Sequence, residues 1–346
     1  MFGLMIQKTK GLAFIICVLA FHIFSCTGKK GTDGSGAVRD TTEVGRKIAD
    51  LSLRIADDPE NAALFHERAQ LNLQRNDVAN AMLDMEQVMK RDTTVPAYFL
   101  TLADVHLAAT KPGRSRAALE KCLSLDPKNK LAYEKLAELY FIAQQYKESI
   151  ANLDEVLKLD ITNPKAYFMK GMCFRDMGDT SRAISSFQTA VEQKPDYYEA
   201  ELQLAILFHA QKNPLALQYY NAALRMNPKG KDALYNRGLW YQDVEGNNDQ
   251  AIQDYTSAVT IDPGFALAHF ALGFLHYQNL KVYDQAIRHY NDAIKIQPGW
   301  AEAYYNRGLC FEAQGNIAAA GNDYSKALEI YPEYSAARDG KARVSR

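Results

Sequence analysis

The sequence predicts an all-α chain, an α-α superhelix of eight helical hairpins with a capping helix at each end. Three observations carry this. The segment Ala301-Glu-Ala-Tyr-Tyr-Asn-Arg-Gly308 nearly repeats Lys231-Asp-Ala-Leu-Tyr-Asn-Arg-Gly238, and the register extends to starts at 62, 96, 130, 164, 198, 231, 266 and 301. A period of 33 to 35 residues belongs to stacked supersecondary units, so the length of 346 residues adds repeats and not compact domains. Position eight of every unit is small: Ala69, Ala103, Ala137, Gly171, Ala205, Gly238, Gly273 and Gly308. The second half of each unit opens on another small residue, from Ala81 to Ala320, and has a bulky one four positions later, from Met85 and Leu119 to Tyr290 and Tyr324. One helical turn separates that pair, so both face the same neighbour.

The elements follow in order. Lys8 and Lys10 precede an apolar run from Leu12 to Phe24, broken only by His22, which ends at Ser25-Cys26. Thirteen residues are too few for a membrane-spanning helix, which needs about 20. A basic start, a short apolar centre and a small residue before the break make residues 1–25 a secretory signal. The end of the run resembles a bacterial lipobox, which implies that Cys26 is lipidated and becomes the first mature residue. Several acyl chains on one cysteine would hold the protein to a bilayer, since one alone is marginal. Resemblance to diderm lipoproteins adds that Thr27 after the cysteine favours the outer membrane, probing the periplasm from a lipid anchor. On the residues alone, an ordinary cleaved signal or a buried core helix stays open.

Residues 26–42 then read as lipidated Cys and flexible tether, because Thr27–Thr42 carries four glycines and no large apolar residue. Residues 43–61 form an N-terminal capping helix, with Val44, Ile48, Leu51 and Ile55 on one face and Pro59 as its stop. The eight repeats occupy 62–334. Their second helices end at Pro127, Pro195, Pro228, Pro263, Pro298 and Pro332, since proline cannot continue a helix. Repeat five is one residue short between its helices, and repeats six and seven each carry one extra, changes expected in the loops. Residues 335–346 form a polar C-terminal cap, with Arg338 where a bulky apolar residue would otherwise stand.

This pattern of small and bulky residues and proline resembles the tetratricopeptide repeat (TPR), helix A, turn, helix B. The resemblance covers residues 62–334 and implies a right-handed solenoid whose helices A line a concave groove.

Composition narrows the function. With 40 Lys+Arg against 41 Asp+Glu, the chain lacks the clustered basic surface that nucleic acid requires. Five cysteines form no CxxC pair, and Cys122, Cys173 and Cys310 fall on core positions. Seven histidines include two pairs worth weighing, His269 with His276 and His276 with His289, but a metal site needs three or four convergent donors, so no metal is expected. His276 and His106 occupy the bulky core position of helix A. The sequence contains no G-x-S-x-G, P-loop, H-E-x-x-H or Gly-rich dinucleotide turn. A non-enzyme without a small-molecule cofactor is the expectation.

Positions five and nine of helix A lie away from helix B. In repeats four to eight they are Phe168 and Met172, Leu202 and Ile206, Tyr235 and Leu239, Phe270 and Phe274, and Tyr305 and Leu309, all apolar. Repeats one to three have His66 and Gln70, Leu100 and Asp104, and Glu134 and Glu138, a mostly polar, acidic set. The apolar residues either line a partner-binding groove or pack each helix A against the next. Asn236 and Asn306, at position six, resemble rungs of the asparagine ladder with which some TPR proteins hold an extended peptide, since an amide both donates and accepts. The function expected is a TPR scaffold lipoprotein binding protein or peptide partners in the bacterial envelope, as in an outer-membrane assembly or secretion complex. The alternative is a glycan-binding lipoprotein with Trp240 and Trp300 as platforms.

Overall fold

The structure is a computed structural model that describes residues 30–32, 38–40 and 42–345. The signal, Cys26 and most of the tether lie outside the described residues. Two three-residue strands, β1 (Lys30–Thr32) and β2 (Val38–Asp40), pair antiparallel within the stretch read from sequence as tether. No alternation of apolar and polar residues announces them.

Among the described residues all other regular elements are helical, and they fall into two units, one ending at Asp179 and one beginning at Thr180. In the first, α1 (Glu43–Asp57) starts where the Thr42 side chain accepts from the Gly45 amide, buries Leu51, and stops just before Pro59. Three hairpins follow: α2 (Ala62–Gln74) with α3 (Val78–Arg91), α4 (Pro96–Ala108) with α5 (Pro112–Leu125), and α6 (Lys130–Ile142) with α7 (Tyr146–Leu159). The unit ends in α8 (Pro164–Asp176). Each helix packs on its successor.

The second unit starts with α9 (Thr180–Gln193) and α10 (Tyr198–Ala210) paired with α11 (Leu215–Met226). Next come α12 (Lys231–Trp240) with α13 (Asn248–Ile261), α14 (Ala266–Leu275) with α15 (Tyr283–Ile296), and α16 (Ala301–Ala313) with α17 (Ile317–Ile330). The polar α18 (Ser335–Val344) closes it. Helices α5, α9, α11, α13, α15 and α17 each end two residues before a proline.

Inside each hairpin the small positions are fully buried, as at Ala69 with Ala81, Ala103 with Ser115, and Ala205 with Ala216. The bulky residue one turn on is buried with them: Met85, Leu119 and Leu153 in the first unit, Phe187, Tyr220, Tyr255, Tyr290 and Tyr324 in the second. This close approach gives the hairpins interior packing density.

Every turn from helix A to helix B contains one residue in the left-handed region: Asn76, Thr110, Gln144, Gly178, Lys212, Gly246, Lys281 and Gly315. In the ordinary repeats the amide after it returns to the carbonyl five residues back, as in Lys111 to His106 (2.8 Å) and Gln145 to Tyr140 (2.8 Å), closing a Schellman motif. In repeats six and seven it returns six residues back, from Asn247 to Tyr241 (2.8 Å) and Val282 to His276 (2.9 Å). The extra residue expected in a loop is instead absorbed by a π-helical turn at the end of helix A, Tyr241–Glu245 and His276–Leu280. Widening one turn keeps both the cap and the packing register, which a longer loop would have had to rebuild.

Candidate partner-binding surface

Helices A carry two further rows, and the one at position five, expected from sequence to lie away from helix B, touches it. Position five is inter-repeat core in the second unit, where Leu202, Tyr235 and Phe270 are buried. Tyr235 meets Tyr255 of its own hairpin (5.7 Å) and Phe265, the residue just before the next helix A (5.3 Å). Phe270 repeats this with Tyr290 (5.5 Å) and Trp300, on which it stacks at 4.4 Å. Tyr305 repeats it again with Tyr324 (5.8 Å) and Tyr334 (5.1 Å). Burial corrects the reading of Leu202, Tyr235 and Phe270 as groove anchors, for they join one repeat to the next, whereas Tyr305 stays half-buried. The row at position nine stays half-buried: Ile206, Leu239, Phe274 and Leu309 in the second unit, and Met172, with Phe168 at position five, in the first.

Asn236 and Asn306, read from sequence as ladder rungs, are half-buried and bond within their own helices. Asn236 Nδ2 donates to the Asp232 carbonyl (2.7 Å) and Asn306 Nδ2 to that of Glu302 (2.8 Å), both one turn back on their own helix. One donor of each amide is thus taken up locally.

In the first unit the polar positions are paired from helix A to helix A. His66 Nε2 lies 2.8 Å from Thr101 Oγ1, and Gln70 Nε2 donates to the same hydroxyl (3.4 Å). Lys135 Nζ donates to Asp104 (2.6 Å), Lys165 Nζ to Glu138 (2.6 Å) and Asn163 Nδ2 to Glu134 (3.0 Å). The acidic stretch read from sequence is thus largely neutralised by lysines of the following repeat, partners some 30 residues away.

Sequence reasoning missed a set of internal ion pairs. Arg68, Arg237 and Arg307, all at position seven, make bidentate bonds to Asp84, Asp254 and Asp323 of helix B, with N–O distances of 2.6 to 3.3 Å. Their remaining guanidinium nitrogens reach back to the preceding hairpin, at Asn221 (2.7 Å) and Asn291 (2.6 Å), or for Arg68 to Ser52 of α1 (2.9 Å). The recurrence of Arg at position seven was the available signal.

Of the two glycan platforms, Trp240 is corrected, while Trp300 stays half-buried. Trp240 is 2% exposed, donates from Nε1 to Glu245 (2.9 Å) and packs edge-on to His209 (5.3 Å). Trp300 has Phe270 stacked on its ring. The thiols of Cys122, Cys173 and Cys310 are buried, and burial pushes that of Cys310 up to about 12. Burial also lowers His276 and takes His289 down to about 4, keeping both rings neutral.

Tetratricopeptide-repeat family profiles match residues 100–164, 164–197, 245–279, 281–315 and 301–334. The chain is built from tetratricopeptide repeats. Residues 198–244 lie outside the matched segments yet form α10 to α12 with the same hairpin packing, so the TPR array continues through them. Solved structures share the fold. The C-terminal part of a TPR repeat-containing protein from Cytophaga hutchinsonii is 17% identical, with a TM-score of 0.55 over 64% of this chain and 91% of that one. A tetratricopeptide repeat protein from Parabacteroides merdae is 15% identical, with a TM-score of 0.53 over 72% and 99%. Pseudomonas aeruginosa PilF is 17% identical, with a TM-score of 0.52 over 60% and 94%. No curated protein matches the chain. TPR folds of this kind are typically non-catalytic scaffolds, and no enzyme family matches.

Proposed function

We propose that this TPR protein is a non-catalytic scaffold that binds protein or peptide partners along its helices A, lipid-anchored through Cys26 to the bacterial outer membrane and facing the periplasm. The observation that carries the binding half is the repeated apolar row Ile206, Leu239, Phe274 and Leu309, half-buried on a backbone already held rigid by the aromatic pairs beneath it. A preformed row of this kind spares the scaffold's ordering entropy, so a docking segment has only its own to lose. The anchoring half rests on the run ending at Cys26. A place in an envelope assembly or secretion complex follows from that combination.

Membrane fractionation of wild type and Cys26→Ala tests the anchor. The wild type is expected in the outer-membrane fraction and the variant, without its acyl acceptor, in the soluble fraction. A variant that remains as firmly membrane-bound as wild type overturns lipidation at Cys26.

A further inference from the structure

In the seventh hairpin, His269 of α14 meets His289 and Asp292 of α15, and one donor atom from each lies within 4.8 Å of the others. His289 and Asp292 are three residues apart and so share one face. His269 has its side chain nine-tenths buried, and its Nδ1 has no hydrogen-bond partner while lying 3.7 Å from Asp292 Oδ2. Its Nε2 is 3.2 Å from the Pro263 carbonyl oxygen. A carbonyl oxygen only accepts, so Nε2 carries the proton and the Nδ1 lone pair is on the side of Asp292. A histidine that binds metal is held in this way, with its other nitrogen donating to a backbone carbonyl that fixes tautomer and ring plane. His289 Nδ1 is likewise buried without a hydrogen-bond partner, and the ring lies nearly parallel to His276 at 5.4 Å.

We propose that His269, His289 and Asp292 form a zinc site that clips helix A to helix B in this hairpin, with the fourth position open to solvent. Two imidazoles and one carboxylate suit a borderline-soft transition ion and poorly suit magnesium or calcium. Zinc at about 2.0 to 2.2 Å from each donor brings them to roughly 3.3 Å apart. Asp292, with 54% of its side chain exposed, is free to swing inward by that amount.

Calorimetric titration of the chelator-treated full-length protein, free of any polyhistidine tag, with zinc chloride tests this. The expected result is saturable binding of one zinc per chain with a zinc-dependent rise in Tm, and no response to magnesium chloride. Asp292→Ala, on the surface, is expected to fold normally and to weaken zinc binding about tenfold or more, as is His289→Gln. His269→Gln, checked for native helicity by circular dichroism, should do the same. Absence of saturable binding below about 0.1 mM zinc overturns the site, and so does wild-type affinity in folded Asp292→Ala and His289→Gln.

Discussion

A Cβ placed on Gly238 would lie 2.6 Å from Tyr255 Cε1, closer than any real side chain permits. The same holds for Gly273 against Tyr290 and Gly308 against Tyr324, each at 2.8 Å. Repeats one to three solve the same problem the other way, with Ala69, Ala103 and Ala137 at position eight and the aliphatic Met85, Leu119 and Leu153 at the bulky position. Glycine thus goes with an aromatic ring, Phe187 opposite Gly171 and tyrosine in repeats six to eight, and alanine with an aliphatic chain, except in repeat five, whose shorter turn combines Ala205 with Tyr220.

Gly238→Ala is therefore expected to destabilise by about 1 to 3 kcal/mol through overpacking, although alanine is the better helix former by ~1 kcal/mol. Adding Tyr255→Leu should recover part of that loss, read as a favourable coupling in a double-mutant cycle by urea denaturation.

The Arg237 and Asp254 pair gives a second test. Asp254 has only 5% of its side chain exposed, so Arg237→Met leaves a buried carboxylate without its partner, a loss of about 3 to 5 kcal/mol. Arg237→Met with Asp254→Leu removes both charges and should restore most of the stability. A double variant less stable than the single one would contradict this.

Thr110 is β-branched yet has φ of 56°, a region that disfavours such side chains. Relief of that strain exceeds the entropy cost of glycine, so Thr110→Gly should raise the stability by about 0.5 to 1 kcal/mol, seen as a higher urea midpoint.

Burial lowers the pKa of His66 and of His209, against weaker opposing fields from Glu67 and Asp243. The folded state keeps both rings neutral where the unfolded chain, titrating near 6.5, takes up protons. Stability from these groups is complete above that pH and falls as pH drops, until the folded rings also titrate. His209→Gln should flatten the wild-type decline in urea midpoint between about pH 7 and pH 5.5.

The repeat frame was legible because it rests on contacts inside one hairpin, between residues about 16 apart such as Ala69 and Met85. Helix starts at 62, 96, 130, 164, 198, 231, 266 and 301 follow from that local pattern. What lay beyond it depended on the next repeat. Whether Phe270 was groove or core was decided by Trp300, thirty residues on, and the charge of Glu138 by Lys165. The aromatic residues at 265, 300 and 334, each just before a helix, were the unread signal. Asp292 escaped notice because the donors were sought among histidines alone.

Phe270 and Leu239 should separate core from surface. Phe270→Ala removes a buried ring and is expected to cost about 3 to 5 kcal/mol. Leu239→Ser, at a half-buried position, should cost about 1 kcal/mol. Equal losses in thermal unfolding would place both residues in the same environment.

Crosslinking in native membranes, followed by pull-down of this chain, tests the scaffold assignment most directly when wild type is compared with the combined variant Leu239→Ser, Phe274→Ser and Leu309→Ser. A discrete partner crosslinked to wild type and reduced about tenfold in the variant, at equal amounts of folded protein, is the predicted result. An undiminished partner yield from the folded variant would contradict it and move the binding surface away from the position-nine row.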